Sequence, residues 1–243
     1  MNVEDEIQVC VELLGGERVS KTFGESPSFQ DADFIFKDYG IISELKSLEE
    51  DKINDDLNIE KVSKLYLKEL EANKAPVIAF GTVNMSTKGF SEGFTRSVID
   101  IYKKPIQGAI KKANRQIRET KQAFEQPKFQ GLLIVANNNH SALDPWHANF
   151  ILEELLSKPD YSSVNSAVYL TAGQASIHPE TGEEYSVWIV KHRNGLSQVS
   201  DDFLEGLRQA WFTHFTKIKG EESHFELSAN KDMLAILENK KTE

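Results

Sequence analysis

Short apolar runs of strand length alternate with amphipathic helical patterns along most of this chain. The first helix is predicted over residues 2–14, because Val3, Ile7 and Val11 recur at helical spacing before Gly15-Gly16. Further helices are predicted near residues 57–74, 106–124, 146–156 and 201–215, and strands in ERVSKTF, ADFIF, IISELK, GLLIVANN, SAVYLTA and YSVWIV. Such alternation indicates a sheet covered by helices on both faces, so we expect an α/β fold.

A mostly polar segment from about residue 50 to residue 104 interrupts this alternation. It contains a helical pattern whose inward face consists of Val62, Leu65, Tyr66 and Leu70. The short strand pattern PVIAFG follows, and then the loop-like stretch MSTKGFSEGFTRS. We therefore predict a single domain over residues 1–243 with a helical insertion at about 50–104. The insertion is expected to clamp a substrate or to form the contact of a homodimer.

Composition excludes several classes of protein. With 243 residues, the chain is long enough to bury a full core. No apolar run approaches the roughly 18 residues of a membrane helix. The opening MNVEDEIQ is acidic where a signal peptide is basic, so we expect a cytoplasmic protein without membrane contact. The single cysteine, Cys10, excludes an internal disulfide and a cluster of thiolate ligands, and its position on an apolar helix face predicts a core residue.

The formal net charge of −10 is unevenly distributed along the chain. An acidic chain is on average a poor binder of phosphates, yet residues 103–128 contain eight basic and two acidic residues. The helix predicted here has an apolar face, and four basic residues lie off that face: Lys111, Lys112, Arg115 and Lys121. We predict that these four residues contact nucleic-acid phosphates. A solvated basic helix is the alternative.

The runs ADFIF and IISELK, joined by the turn-like KDYG, predict a β-hairpin. Residues two apart in a strand face the same side, so Glu44 and Lys46 project together while Leu45 faces the opposite side. An aspartate at the end of the preceding strand is within reach of them. The pattern Glu-x-Lys occurs four times in the chain, and only this copy lies in a strand pattern. These residues are therefore the candidate site.

Two neighbouring carboxylates repel one another unless a cation lies between them. Their hard oxygen atoms favour Mg²⁺ or Mn²⁺, and Mg²⁺ usually keeps several water ligands besides one or two carboxylates. A lysine two residues away adds a fixed positive charge. Together these groups suit phosphodiester hydrolysis, in which a metal ion polarises a phosphate oxygen and acidifies a water while an ammonium group stabilises developing negative charge.

At these residues the sequence resembles the PD-(D/E)xK phosphodiesterases, the restriction-endonuclease-like superfamily. The resemblance implies that Asp33 and Glu44 bind the metal together with the backbone carbonyl of Leu45, and that Lys46 is the catalytic lysine. Ala32 replaces the proline of the family pattern, which does not affect the chemistry. The implied architecture is a three-layer α/β/α restriction-endonuclease-like core with a mixed sheet. The implied function is that of a divalent-metal-dependent nuclease acting on DNA or another nucleic acid.

The sequence leaves several alternatives open. Glu6, with Glu4 nearby on the first helix, is a weak candidate for a further metal ligand, and Asp31 is an alternative to Asp33. Gln116 resembles a glutamine that some nuclease groups place near the substrate, although a surface position is the simpler interpretation. The rival function is that of a non-catalytic nuclease-fold protein that acts as a protein-interaction or nucleic-acid-binding module.

Overall fold

Six paired strands form one mixed sheet in the computed structural model, which describes residues 2–24, 27–50, 55–75, 90–140, 143, 145–173, 176–177 and 184–219. The helices of these ranges are α1 (Val3–Leu13), α2 (Ser20–Phe23), α3 (Asp56–Glu71), α4 (Glu92–Ala123), α5 (Pro145–Leu156) and α6 (Asp201–Lys219). The strands are β1 (Glu17–Arg18), β2 (Phe34–Phe36), β3 (Ile41–Leu48), β4 (Gln130–Asn137), β5 (Ser166–Thr171), β6 (Ser176–Ile177), β7 (Glu184–Tyr185) and β8 (Trp188–His192). Most of the predicted helices and strands are confirmed by these bounds.

The sheet combines antiparallel and parallel pairings in the order β1-β2-β3-β4-β5-β8. The central strands β3, β4 and β5 are parallel to one another, whereas β2 and β8 flank them in antiparallel orientation. Parallel neighbours require a crossover connection, and helices α3 to α5 lie in these connections. The expected α/β class is confirmed.

Helices cover both faces of the sheet and create two cores. On one face, Ile110 of α4, Leu152 of α5 and Ile42 of β3 belong to one cluster of buried apolar side chains. On the other face, Ile7 of α1 and Trp211 of α6 belong to a second cluster. Burial on both faces explains why the central strands read as continuous apolar runs. None of the described helices combines the length and the apolar character needed to cross a membrane.

The hairpin that carries the candidate residues forms as predicted. Phe34 pairs with Ser43 and Phe36 with Ile41, so β2 and β3 are antiparallel neighbours. Between them, one 3₁₀ turn ends at Gly40, whose φ of 63° lies in the left-handed region that glycine adopts without steric cost. All three residues of β2 are buried, which fixes this strand between the two cores.

The segment ERVSKTF differs from the predicted strand. Strand β1 ends after two residues, and the short helix α2 follows it. The ring of Phe23 packs edge-on against Phe29 and against Phe124 at the end of α4, with centroids 5.2 and 4.8 Å apart. This tertiary contact overrides the local strand preference of the segment.

The insertion also differs from its predicted form. Helix α4 begins at Glu92, where the side chain of Ser91 caps it by accepting a hydrogen bond from the Phe94 N–H (3.2 Å), and it continues through Pro105. The boundary predicted near residue 104 therefore lies inside a helix. Helix α3 packs against this extension, and its predicted inward residues are partly buried, although no side chain of α3 is fully buried. The strand pattern PVIAFG lies outside the described residues.

Candidate functional site

Asp33 and Glu44 meet where the ladder of the hairpin ends. β2 pairs with β3 as far as Phe34 and Ser43, and beyond this pair the ladder bonds are replaced by bonds to side chains. The Asp33 N–H donates to Oε2 of Glu44 (3.1 Å), and the Leu45 N–H donates to Oδ2 of Asp33 (2.7 Å). Each carboxylate therefore takes the place of a strand partner, which holds both groups against rigid backbone.

Lys46 completes the group from the same face of β3. Its Nζ donates a hydrogen bond to Oε1 of Glu44. Ile42 and Leu48 have the same parity along the strand and belong to the core beneath α4, so Glu44 and Lys46 face α4 as well. The side chain of Glu44 has no exposed surface, whereas that of Lys46 is 23% exposed. The structure thus brings the three predicted residues together and leaves the cation accessible to solvent.

Burial and like charge disfavour the ionised form of both carboxyl groups. Burial, followed by the neighbouring Asp33 carboxylate, raises the pKa of Glu44 to about 8 against the opposing effect of Lys46. Burial also raises the pKa of Asp33 above its usual value, against the opposing effects of the Leu45 N–H and Lys46. A divalent cation between the two carboxylates would favour their ionised forms. Either a proton or a divalent cation would therefore offset the repulsion between the two carboxyl groups that Lys46 leaves.

The backbone carbonyl of Leu45 is the third oxygen that the family resemblance predicts as a ligand. The N–H and C=O of one strand residue point toward the same neighbouring strand, and the Leu45 N–H is bonded to Asp33. The Leu45 carbonyl therefore lies at the same edge of β3 as that carboxylate. Two carboxylates and one carbonyl oxygen form a hard donor set that fits Mg²⁺ or Mn²⁺, with water as the remaining ligands.

Glu6 does not join the carboxylate pair. Its Oε2 lies 2.6 Å from Nε2 of His214, a contact that ties α1 to α6. Glu4 affects the site through its charge. Burial is the main cause of the raised pKa of Asp33, and the Glu4 carboxylate raises this pKa further. Arg18, which pairs with Glu4 (2.7 Å), lowers the pKa of Asp33. Across the described residues, no group of three or more histidine, cysteine, aspartate and glutamate side chains is arranged to hold a metal ion. A metal site here therefore rests on two side chains and the backbone.

Two side chains of α4 hold the segment that leads into Asp33. Gln116 donates to the Asp31 carbonyl (2.9 Å), and Oγ1 of Thr120 accepts a hydrogen bond from the Ala32 N–H (2.8 Å). Gln116 therefore holds the backbone that leads into the site. Asp31 contributes its carbonyl to this contact, whereas Asp33 is the aspartate that contacts Glu44. The sequence interpretation missed Thr120. A polar residue on the apolar face of that helical pattern was the available signal.

The four basic residues predicted to bind phosphates separate into two groups. Lys111, Lys112 and Arg115 are exposed, although Arg115 also forms an ion pair within α4. Lys121 is partly buried, its Nζ donates to the Ser163 carbonyl (3.2 Å), and burial lowers its pKa to about 8. Only the first three residues present their charge to a polyanion.

A line of serine, histidine and aspartate lies elsewhere in the fold. Oγ of Ser166 is 2.8 Å from Nδ1 of His192, whose Nε2 is 3.4 Å from Oδ1 of Asp201. Ser166 has no exposed surface, and its Oγ also accepts the Val199 N–H (3.2 Å). A nucleophilic serine presents its Oγ at an accessible surface. This line therefore joins β5, β8 and the start of α6 and does not form a hydrolase triad.

No family model, curated protein or solved structure matches this chain. The resemblance to the PD-(D/E)xK phosphodiesterases stays a prediction. The functional assignment therefore rests on the geometry of Asp33, Glu44 and Lys46 and on the sheet that positions them.

Proposed function

We propose that the chain is a divalent-metal-dependent nuclease that hydrolyses phosphodiester bonds of DNA or another nucleic acid on a restriction-endonuclease-like core. The observation that carries this proposal is the coupled arrangement of Asp33, Glu44 and Lys46 at the open end of a hairpin. Raised pKa values at both carboxyl groups, for which burial is the main cause, are typical of functional sites. The hairpin lies in a mixed sheet between helices on both faces, which is compatible with the proposed core.

Each residue has a distinct role in the proposed reaction. Asp33, Glu44 and the carbonyl of Leu45 are the groups that would hold Mg²⁺ or Mn²⁺. The bound ion would polarise a phosphate oxygen and lower the pKa of a water ligand. Lys46, whose side chain reaches solvent, places a positive charge where negative charge develops on the phosphate.

One observation favours a second candidate, a non-catalytic protein of the same fold that binds nucleic acid or another protein. Both carboxylate oxygens of Glu44 already accept hydrogen bonds, from Lys46 and from the Asp33 N–H, and the side chain has no exposed surface. A protein that never binds a metal ion would keep these bonds. The two candidates therefore differ in their response to divalent cations.

Cleavage assays with the purified wild type and two variants test the proposal. We expect the wild type to cleave plasmid or single-stranded DNA with Mg²⁺ or Mn²⁺ and to stop when the ion is chelated. Lys46→Ala should keep the fold and bind the ion, while turnover falls by about 10²- to 10³-fold because one charge-stabilising group is lost. Glu44→Gln should reduce ion binding and turnover together, because it removes a charged ligand.

Lys217→Ala is the matched control for these variants. Lys217 is exposed on α6, which covers the opposite face of the sheet from Lys46. The control should cleave at the wild-type rate. If Lys46→Ala also cleaves at that rate, the cleavage does not come from this site and the proposal fails. If wild type and control cleave neither substrate with either ion, the non-catalytic candidate is favoured.

A further inference from the structure

A shallow, open groove of about 370 Å³ lies between helices α3 and α4. Three lysines of α3 line it and share one helix face, because they are three and four residues apart: Lys61, Lys64 and Lys68. Lys104 of α4 also lines the groove, beside the apolar side chains of Leu65 and Ile101. Asp100 lies in the lining as well, and its carboxylate is paired with Lys103 (2.6 Å). The groove therefore presents positive charge next to apolar surface.

The charges of these lysines are largely uncompensated. Across the described residues, Lys68 and Lys104 form no ion pair, and Lys61 bonds to a neutral amide oxygen (3.0 Å). Lys64 pairs with Glu60 (2.6 Å) between two exposed side chains, and such a pair is weak enough for a phosphate to displace the carboxylate. In a chain whose net charge is −10, this groove is a local attractor for anions.

A stripe of basic residues runs along α4 from the groove to the level of Gln116, which supports the candidate active site. Lys104 and Arg115 are about three full turns apart and share one face of the helix, and Lys111 lies between them on that face. The residue after Arg115 is Gln116, which binds the Asp31 carbonyl (2.9 Å). At 1.5 Å per residue, Lys104 lies about 18 Å along the helix from Gln116. One strand of B-form DNA rises 3.4 Å per nucleotide, so this distance spans about five nucleotides.

We propose that the groove binds backbone phosphates of the nucleic acid whose scissile phosphodiester lies at Asp33 and Glu44. This inference rests on the proposed nuclease function and adds a second contact about five nucleotides from the cleaved bond. Lysine contacts to phosphates position a nucleic acid without reading its bases. The groove therefore sets the length and placement of the substrate, and it gives the insertion the role of a clamp.

A double variant of two exposed groove residues, Lys64→Gln/Lys68→Gln, tests this inference against Lys21→Gln/Lys217→Gln, which removes two exposed lysines elsewhere. Fluorescence anisotropy in the presence of a chelator measures binding of a labelled 20-base-pair duplex without cleavage. The groove variant should bind about tenfold more weakly, and the slope of log K against log salt should fall by about 1.8, since two phosphate contacts are lost. The control should match the wild type.

Hydrolysis of bis(p-nitrophenyl) phosphate, a diester too small to reach the groove, is the second readout. The groove variant should hydrolyse it at the wild-type rate. If the groove variant binds the duplex as tightly as the control does, the proposal for the groove is wrong. The proposal is also wrong if the groove variant loses affinity for polyglutamate to the same extent, because that result would indicate an acidic protein as the partner. If the wild type hydrolyses neither the diester nor DNA, the proposed nuclease function fails, while duplex binding still decides for or against the groove.

Discussion

The protonation state of Glu44 would determine the affinity of this site for a cation. Burial, followed by the Asp33 carboxylate, raises the pKa of Glu44 to about 8, so this carboxyl group is mostly protonated at pH 7 in the metal-free protein. A cation binds the ionised form. Binding of Mg²⁺ at pH 7 should therefore release about one proton, and the apparent affinity should fall about tenfold for each pH unit below 8 and level off above it.

Calorimetry in two buffers of different ionisation enthalpy measures this proton. The heat of Mg²⁺ binding should differ between the buffers at pH 7 and agree at pH 9, where Glu44 is already ionised. Glu44→Gln is the control, because it has no proton to release at this position. A heat that is the same in both buffers at pH 7 would show that Glu44 is not a ligand or is ionised before the ion arrives.

Burial lowers the pKa of Lys121, whereas it raises that of Glu44. The pKa of Lys121 falls from 10.5 to about 8, so the unfolded chain binds more protons than the folded chain between these values. Above pH 10.5 the lysine is neutral in both states and does not destabilise the fold. The free energy of unfolding decreases as the pH falls from 10.5 to 8, because the unfolded chain takes up the proton first. Lys121→Met keeps an apolar stem and removes the charge, so its Tm should exceed that of the wild type most clearly at pH 7.

Thermal unfolding of the wild type and of Lys121→Met at pH 7, 9 and 10.5 measures this difference in Tm. The advantage of Lys121→Met should shrink as the pH rises, because the wild-type lysine becomes neutral and keeps its bond to the Ser163 carbonyl. A difference in Tm that stays constant with pH would mean that Lys121 is not desolvated in the folded state.

At the scale of the element, helix α4 has a buried face that supports the candidate site and an exposed face that carries basic residues. Its buried face includes Thr120, which holds the Ala32 N–H, while Lys111 and Lys112 point to solvent. If the exposed pair contacts phosphates, Lys111→Gln/Lys112→Gln should weaken binding of duplex DNA of any sequence and reduce the slope of log K against log salt by about 1.8. Lys121→Met is the control and should leave the slope unchanged. Equal slopes for all three proteins would make this face of α4 a solvated surface.

Local signals were sufficient to predict the hairpin. A turn pattern between two apolar runs set the positions of β2 and β3, and the two-residue period of a strand placed Glu44 and Lys46 on one face. The bond from the Leu45 N–H to Asp33 was not predictable in detail, but its cause was. β2 is shorter than β3, so backbone groups beyond its end need side-chain partners.

Tertiary packing determined what local signals did not predict. The orientation of α1 against α6 places Glu6 next to His214. The spacing of residues within α1 does not predict this contact. The loop after α5 covers one flank of α4 and buries Lys121, which looks like its exposed neighbours in the sequence. Pro105 resembles a helix start, yet α4 runs through it because the earlier turns pack against α3.

At the scale of the whole molecule, the candidate site is part of the central sheet. β3 pairs with β2 on one side and with β4 on the other, and its two faces belong to the two cores. A cation held by Asp33 and Glu44 therefore bridges the hairpin, and unfolding of the sheet separates its ligands. A ligand that binds only the folded state stabilises it by mass action. Metal binding should consequently appear in global stability, whether or not the protein cleaves a substrate.

Thermal unfolding with increasing Mg²⁺ tests this linkage. At a Mg²⁺ concentration about 100-fold above Kd, the free energy of unfolding should rise by about 2.7 kcal/mol, which raises Tm by about 5–10 °C in a chain of this size. Asp33→Asn is the matched control, because its amide oxygen can still accept the Leu45 N–H while the ligand charge is lost. Its Tm should respond to Mg²⁺ no more than to an equal ionic strength of sodium chloride. If the wild type behaves in the same way, Asp33 and Glu44 hold no metal ion, and the raised pKa of each carboxyl group, caused mainly by burial, belongs to a buried strand end in a non-catalytic protein.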